Sequence, residues 1–198
     1  FTEGQINQFQ HISEVISKTL GYQPLLHTLN TSGVLNYPEA QYDMVRCGIG
    51  LYGFGNNDRY NKELIPVLSL KTVISQIHHL SKGDTVGYGR KGLVNTALKT
   101  ATLPIGHADG LPRTLGQGRA SFLVNGQEAP IIGNVCMDMI MVNVTNIDCE
   151  EGDEVVIFDK TFTAEMLAVK MNSISYELLT ALSSRIKRTI SRKEIDKQ

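Results

Sequence analysis

The chain has 198 residues, long enough to bury a core, and suits one large domain or a partial domain joined to a smaller one. Its 19 Lys and Arg residues are balanced by 20 Asp and Glu residues, which gives a net charge of −1 at pH 7. Because this balance provides no basic field for nucleic acid or an anionic membrane surface, it favours a function on small molecules.

Three scattered cysteines, Cys47, Cys136 and Cys149, predict neither a disulfide framework nor a metal site of the CxxC kind. No stretch of the sequence approaches the roughly 20 apolar residues of a membrane-spanning helix. The opening FTEGQINQFQ lacks the plan of a signal peptide and has no initiating Met. We therefore expect a cytoplasmic protein, with this chain beginning inside a larger polypeptide.

The first sixty residues have the rhythm of a parallel α/β fold. Apolar residues at helical spacing predict an amphipathic helix over 3–20, and Thr2 with Gln5 forms a capping-box pattern. The segments PLLHTLN (24–30) and MVRCGIGLYGF (44–54) then predict two buried strands. Helix, strand, connection and strand in this order are typical of parallel α/β structure.

Beyond residue 61 the sequence becomes rich in β-forming residues divided by turn signals such as Asn125-Gly126. Short strands at this spacing predict an antiparallel, barrel-like β-domain. The β-rich segments are 67–80, 85–89, 98–105, 120–124, 129–132, 137–145 and 154–158. Two helices are predicted over 164–171 and 175–186, and the basic tail KRTISRKEIDKQ is expected to be a solvated end.

Arg46 and Tyr88 are the first candidates for chemistry. In RCGIG, Arg46 precedes Gly48 near the expected carboxyl end of a strand, where an α/β barrel forms its sites and bare main-chain N–H groups can approach a phosphate. The alternative is an ordinary ion-pair arginine with a packing glycine. Tyr88 lies between two glycines in GDTVGYGRKG, and as a base its phenol, with a usual pKa near ~10, would need a cationic neighbour. The alternative is a half-buried strand tyrosine.

Two further segments suggest loops around a pocket. TLPIGHADGLPR carries His107, Asp109 and Arg113, but no other ligand pair at metal spacing accompanies them, so no metal is expected. In NVCMDM, no histidine partner can be assigned to Cys136, which favours a buried structural thiol. The main-chain N–H near Met137 is the more useful group, since it can bind a carboxylate whatever the side chain.

The order of these motifs resembles the alanine racemase family. The matching segments are HTLNTSG, YPEAQYDMVRCGIGLYG, GDTVGYGRKG, TLPIGHADGLPR, APIIGNVCMDMIMVNVT and SISYELLTALSSRIKR. The resemblance implies that residues 1–61 are the last units of a (β/α)8 barrel that binds pyridoxal 5′-phosphate. It implies that residues 62–198 are the antiparallel, barrel-like β-domain with short helices that follows this barrel.

The resemblance also implies which residues hold the cofactor. Arg46 matches the arginine that faces the pyridine nitrogen, and because arginine does not surrender its proton, the ring would draw electrons less strongly than with a carboxylate partner. His27 matches a histidine beside that arginine, with a core histidine as the alternative. The positions that match phosphate contacts are Thr31, Gly48, Ile49 and Tyr176, with Thr31 in place of the more usual serine.

Racemisation removes a proton from one face of the α-carbon and delivers another to the opposite face, which favours two acid–base groups. In the family these are a tyrosine, matched by Tyr88, and the lysine that carries the cofactor. Because the motif of that lysine, VKANAYG, does not occur in the 198 residues, we expect the chain alone to be inactive. Met137 matches the residue whose main-chain N–H holds the substrate carboxylate. His107 replaces a common tyrosine, which bears on the shape and polarity of the path that the substrate takes.

The family is homodimeric, so Tyr88 and Met137 are expected to face the cofactor of the partner subunit. The implied reaction is the interconversion of L- and D-alanine, which supplies D-alanine for peptidoglycan. Three alternatives stay open: a racemase of another amino acid or a decarboxylase of the same fold type, a β-domain that serves only dimerisation or binding, and fusion to an upstream cell-wall ligase.

Overall fold

Five α-helices and nine strands lie in the part of the chain that the computed structural model describes, residues 1–55 and 57–191. These residues divide into two compact units, Phe1–Leu68 and a second unit that begins at Ser69. The sequence places the domain boundary after residue 61, seven residues before this division. Each unit has its own architecture.

The first unit begins with helix α1, Thr2–Leu20, as the apolar spacing predicts. The predicted capping box is wrong. The helix is capped by Phe1 without a side-chain hydrogen bond, and Thr2 is already helical, so its hydroxyl does not cap the first turn. Ile12, Ile16 and Leu20 remain 46%, 44% and 49% exposed, so the rest of this unit does not cover the apolar face of α1.

The two strands predicted over 24–30 and 44–54 are corrected by the structure, since the described residues of this unit contain no strand. Two extended segments instead run side by side, with the Asp43 N–H donating to the Leu26 carbonyl at 3.1 Å and the Arg46 N–H to the Leu29 carbonyl at 3.0 Å. A parallel ladder needs regularly repeated bonds, and two bonds three residues apart do not continue into one.

Short helices complete the first unit. Beyond the extended segments the chain forms α2, Thr31–Asn36, and α3, Asp58–Asn61. Two 3₁₀ helices, Pro38–Ala40 and Ile49–Tyr52, lie between them. The second of these occupies much of the predicted strand over 44–54, because Gly48 and Gly53 allow the backbone to turn there.

The second unit is built on a seven-stranded antiparallel sheet with the order β1-β9-β6-β7-β8-β5-β2 and a separate β3–β4 ribbon. The strands are β1 Leu70–Val73, β2 Gln76–Leu80, β3 Thr85–Val86, β4 Gly92–Leu93, β5 Leu98–Leu103, β6 Ser121–Val124, β7 Gln127–Ile132, β8 Ile140–Asn143 and β9 Glu154–Phe158. The predicted β-rich segments contain all of them except β4 and the start of β7.

The sheet curls, and its two edge strands, β1 and β2, follow each other directly in the chain. Segment 67–80, predicted as one β-rich run, is two strands that pair with different partners. The Ile74 N–H donates to the Asp153 carbonyl, and the Ser75 N–H donates to the Thr102 carbonyl, each at 2.9 Å. Since β1 and β2 are the two edges of the sheet, this switch brings the edges together. The prediction of a barrel-like β-domain is confirmed.

The core of the second unit lies inside this curl. Strand β6 alternates between half-buried and fully buried side chains, as expected for a sheet with one face inward. Phe122, Ile140 and Phe158, from three different strands, have no exposed surface. Asn125 and Gly126 have positive φ angles of 48° and 76° at the tight turn between β6 and β7, which suits the Asn-Gly pair of that hairpin.

Helices α4, Ala164–Lys170, and α5, Ser175–Ala181, follow the sheet. The predicted second helix is too long, because Leu182 leaves helical geometry at ψ 117° and the chain turns. Of the predicted solvated tail, residues 187–191 are exposed and 192–198 lie outside the described residues. In the described ranges, no helix is long and apolar enough to cross a membrane.

Candidate functional site

Thr31 joins the start of α2 to the RCGIG segment. Its buried Oγ1 accepts hydrogen bonds from the Gly48 N–H at 3.1 Å and the Gly50 N–H at 3.2 Å. A Cβ atom at Gly50 would lie 2.8 Å from the Thr31 methyl carbon, so a larger residue there would push the two segments apart. The structure therefore brings three predicted phosphate-binding residues, Thr31, Gly48 and Ile49, into one cluster.

This cluster keeps donors available to an anion. Ile49 begins its 3₁₀ helix, and within the described ranges its main-chain N–H meets no acceptor. The Thr31 hydroxyl accepts two bonds, which leaves its own proton to donate. At Gly48 a Cβ atom would find no atom within 4 Å, so the backbone is open to approach. Neutral donors on a bare backbone suit a phosphate group.

Arg46 and His27 line a cavity that also reaches Asn30 and Ser32, on either side of Thr31. Its volume is about 570 Å³, and it lies beside α1, with Phe9 and Tyr37 also in its lining. The Arg46 side chain is exposed, and its Nη2 donates to the Thr28 carbonyl at 3.0 Å, which directs the guanidinium along the neighbouring segment. The structure thus places the predicted pyridine-facing arginine and the predicted histidine in the lining of one cavity.

Tyr88 begins a 3₁₀ turn in the loop between β3 and β4. Gly87 and Gly89 flank it with positive φ angles of 73° and 65°, a region that favours glycine. The tyrosine side chain is 61% exposed, and its carbonyl accepts a hydrogen bond from Asn134 Nδ2 at 3.0 Å. The glycines therefore allow a turn that presents the phenol at the surface.

Tyr88 and Met137 line the same cavity, about 270 Å³ in volume. The other lining residues are Gly87, Cys136, Asp138, Met139 and Met141. Among the described residues no acceptor takes the Met137 main-chain N–H, whereas the Met137 carbonyl accepts the Ala108 N–H at 2.9 Å. Tyr88 and Met137, the second with a free main-chain donor, thus line one cavity, although 49 positions separate them in the sequence.

The loop after β5 packs directly on the Cys136–Met137 backbone. The His107 N–H donates to the Cys136 carbonyl at 2.8 Å, beside the bond between Ala108 and Met137. A Cβ atom at Gly106 would lie 2.5 Å from the Cys136 carbonyl oxygen and 2.6 Å from that of Met137. Only glycine allows two backbones to approach this closely.

Asp109 is a functional candidate that sequence reasoning treated only as loop structure. Its buried carboxylate accepts the Gly106 N–H at 2.8 Å and both Nε and Nη2 of Arg185, at 2.7 and 3.0 Å. Arg185 Nη2 also pairs with Asp138 at 2.6 Å. The hydrogen bond from Arg185 lowers the pKa of Asp109 below its usual value, and burial opposes this shift only in part. No local signal marks these residues, since 76 positions separate Arg185 from Asp109.

The remaining candidates occupy the surroundings of these sites. Tyr176 is half-buried in α5 of the second unit, and its carbonyl accepts the Thr180 hydroxyl. His107 is exposed and lines a cavity of about 300 Å³ with Glu177. Cys136 is a buried free thiol. Over residues 1–55 and 57–191, no three His, Cys, Asp or Glu side chains form a group that could hold a metal ion.

Both units match models of known protein families. The family described as "Alanine racemase, N-terminal domain" matches residues 1–55, and "Alanine racemase, C-terminal domain" matches residues 67–190. The chain belongs to the alanine racemase family. The matches confirm the predicted fold class, the last units of a (β/α)8 barrel followed by an antiparallel β-domain, and the two extended segments of the first unit stand where the prediction had barrel strands.

The sequences of individual alanine racemases match most of this chain. The enzyme of Clostridium perfringens is 37% identical over 196 residues, which are 95% of this chain and 50% of that protein. The alanine racemase of Cutibacterium acnes is 36% identical over 194 residues, 95% of this chain and 52% of that protein. This chain therefore spans about half the length of the curated relatives that it matches.

Solved structures of alanine racemases share the fold. The Clostridium difficile enzyme in complex with cycloserine superposes with a TM-score of 0.84 at 33% identity, over 93% of this chain and 50% of that one. The Bacillus anthracis enzyme with bound L-Ala-P also gives a TM-score of 0.84, at 30% identity, over 93% of this chain and 49% of that one. Both solved chains are about twice as long as the matched part.

Proposed function

We propose that this chain is the carboxy-terminal half of a cytoplasmic alanine racemase that interconverts L- and D-alanine and supplies D-alanine for peptidoglycan. The observation that carries the proposal is the cavity lined by both Tyr88 and Met137, whose main-chain N–H meets no acceptor in the described ranges. The Tyr88 phenol and the Met137 N–H can do what racemisation requires of this part of the protein, which is to hold a carboxylate and move a proton.

Pyridoxal phosphate is the cofactor that the cluster around Thr31 fits. When bound, it would supply an electron sink that makes the α-proton of an amino acid acidic. The Thr31 hydroxyl, the bare backbone at Gly48 and the Ile49 N–H would hold its phosphate. Arg46 would face the pyridine nitrogen, with His27 in the lining of the same cavity.

Met137 and Tyr88 act on the amino acid in this proposal. The Met137 N–H donates to the substrate carboxylate, which fixes the orientation of the α-carbon. The Tyr88 phenol takes or delivers the α-proton on one face. The second acid–base group is a lysine contributed by residues outside these 198. The chain alone is therefore expected to be inactive.

The proposal includes a homodimer in which each site combines residues of both subunits. Tyr88 and Met137 of one subunit serve the cofactor of the other, while Arg46, Thr31 and Gly48 serve the cofactor of their own. The exposure of Tyr88, at 61%, and of Met137, at 51%, supports this arrangement, because both groups are accessible to another chain.

Replacing Tyr88 tests the central role. In the full-length protein, Tyr88→Phe removes the hydroxyl and keeps the ring, so we expect a loss of racemase activity of about a hundredfold or more in at least one direction. The measurement is the rate of L-to-D and of D-to-L conversion at saturating alanine. Tyr22→Phe is the matched control, since Tyr22 is 62% exposed and belongs to neither cavity described for the predicted site residues. Wild-type rates for Tyr88→Phe in both directions would contradict the assignment.

The substrate is tested separately. Rates on alanine, serine, lysine and diaminopimelate, with decarboxylation followed in parallel, distinguish an alanine racemase from a racemase of another amino acid or a decarboxylase of the same fold type. We expect alanine to give the highest kcat/KM. A higher value for another amino acid would replace the substrate while leaving the acid–base role of Tyr88 in place.

A further inference from the structure

The main-chain donor at Met137 belongs to a peptide group whose orientation is fixed from behind. In a planar trans peptide the C=O and N–H bonds point in opposite directions. The carbonyl of the Cys136–Met137 peptide accepts the His107 N–H at 2.8 Å, which directs the Met137 N–H the opposite way. The direction of this donor therefore depends on the position of the loop from Gly106 to Asp109.

That loop is held by Arg185. The Asp109 carboxylate accepts the Gly106 N–H, and Arg185 grips the same carboxylate with two nitrogens, at 2.7 and 3.0 Å. Arg185 Nη2 also reaches Asp138, the residue after Met137, at 2.6 Å. One guanidinium thus ties the supporting loop to the residue that follows the donor, and its planar fork suits two carboxylates at once.

We propose that Arg185, through Asp109 and Asp138, is a positioning residue that aims the Met137 N–H at the carboxylate of the amino-acid substrate. This inference deepens the proposed function and rests on it. Arg185 does not touch the substrate in this scheme. Its loss lets the Cys136–Met137 peptide rotate, so affinity for a carboxylate falls more than the rate of the proton transfer.

The test compares Arg185→Ala with the wild type in the full-length protein loaded with pyridoxal phosphate. Two quantities are measured: KM and kcat for alanine, and the Kd of propionate, which is alanine without its amino group, by calorimetry. We expect KM and the propionate Kd to rise about tenfold, the scale of one hydrogen bond to a charged group, while kcat changes much less. Arg185→Lys should recover only part of this affinity, because an ammonium cannot bridge both carboxylates as a fork does.

The matched control is Lys71→Ala. Lys71 forms an ion pair with Glu154 at 2.7 Å and is 47% exposed, against 49% for Arg185, but it lies on β1 and outside the Tyr88 cavity. Its removal should leave KM and the propionate Kd unchanged. An unchanged propionate Kd in Arg185→Ala would overturn the proposal, even if the unfolding temperature fell, because the ion pairs would then be structural only.

Asp138→Asn covers the case in which Arg185→Ala does not fold. Asp138 is 62% exposed, and its substitution leaves the pair between Arg185 and Asp109 intact. We expect a smaller rise in the propionate Kd, and no rise in either Asp138→Asn or Arg185→Lys would overturn the proposal. A wild-type protein that does not racemise alanine would refute the proposed function alone, since propionate binding requires no turnover.

Discussion

The Asp109 carboxylate is held in its charged form by the groups around it. It is a buried residue, with 10% of its side chain exposed, yet three hydrogen bonds reach it, two from the Arg185 guanidinium and one from the Gly106 N–H. Burial alone would favour the neutral acid. The balance lowers the pKa of Asp109 below its usual value of 3.8, and the bonds from Arg185 are the largest cause.

This shift gives stability a dependence on pH. Because the folded-state pKa of Asp109 lies below 3.8, the unfolded chain binds this proton more readily. The stabilisation is complete above the unfolded-state pKa and is lost as the pH falls through the folded-state pKa. Asp109→Asn should therefore reduce the free energy of unfolding at pH 7 by about 2 kcal/mol, the scale of hydrogen bonds to a charged group.

The two proteins should converge in acid. We expect the difference in unfolding free energy between wild type and Asp109→Asn to shrink as the pH falls below about 4, since the unfolded wild-type chain then binds a proton that the folded state binds only at lower pH. Denaturant unfolding of the full-length proteins between pH 7 and pH 2 measures this difference. Glu154→Gln, which removes an exposed ion-pair partner, serves as the control. A difference that stayed constant with pH would contradict the assigned pKa shift.

At the scale of the elements, the sheet of the second unit was largely predictable because its signals are local. The Asn125-Gly126 pair specifies the turn between β6 and β7, and alternating burial along β6 follows the apolar pattern. The sequence does not predict strand β4. This strand has only two residues, the first a glycine, so it shows no alternating pattern and depends on pairing with β3. The exchange of partners at Ile74–Ser75 is likewise a property of the sheet.

Features that depend on contacts between distant parts of the chain are harder to predict from the sequence. Segments 24–30 and 44–54 contain apolar runs, but a parallel strand needs paired neighbours to form its ladder. The family resemblance, not the local pattern, selected Tyr88 and Met137, which meet because two separate loops line one cavity. The contact of Arg185 with Asp109 spans 76 positions and leaves no local signal. The predicted helix over 175–186 places Arg185 inside the helix, whereas the chain turns at Leu182.

The cap of α4 gives a prediction at this scale. Thr163 precedes the helix in an extended conformation, and its Oγ1 accepts the Met166 N–H at 3.3 Å, which satisfies one of the free donors of the first turn. Thr163→Ala should lower the free energy of unfolding by about 1 kcal/mol. Thr163→Ser keeps the acceptor and should lose much less. Thermal unfolding of the full-length variants checks this, and equal losses in both would show that the methyl group, not the cap, matters.

At the scale of the whole molecule, the two units carry different parts of the proposed chemistry. The first unit holds Arg46 and the Thr31 cluster, which suit a cofactor, and the second holds Tyr88 and Met137, which suit a proton and a carboxylate. This chain spans about half the length of the curated relatives that it matches. A site that combines subunits makes a specific prediction about mixtures of variants.

Two defective full-length proteins should restore each other. If Tyr88 acts on the cofactor of the partner subunit, a heterodimer of Tyr88→Phe and Arg46→Ala subunits contains one intact site and one site with both defects. Random exchange of subunits makes about half of the dimers heterodimers, so activity should rise to about a quarter of the wild-type value, well above either parent. The measurement is racemase activity after the two variants are unfolded and refolded together.

The control pair distinguishes restoration through shared sites from restoration through refolding. Tyr88→Phe and Arg185→Ala change the same contributing surface, so each site of their heterodimer inherits one of the two defects and no intact site forms. Activity in that mixture should stay near the average of the parents. If Tyr88 instead acted on the cofactor of its own subunit, the mixture with Arg46→Ala would also show no gain, because each subunit would keep its own defect. A gain confined to the Arg46→Ala pair is therefore the outcome that only a shared site produces.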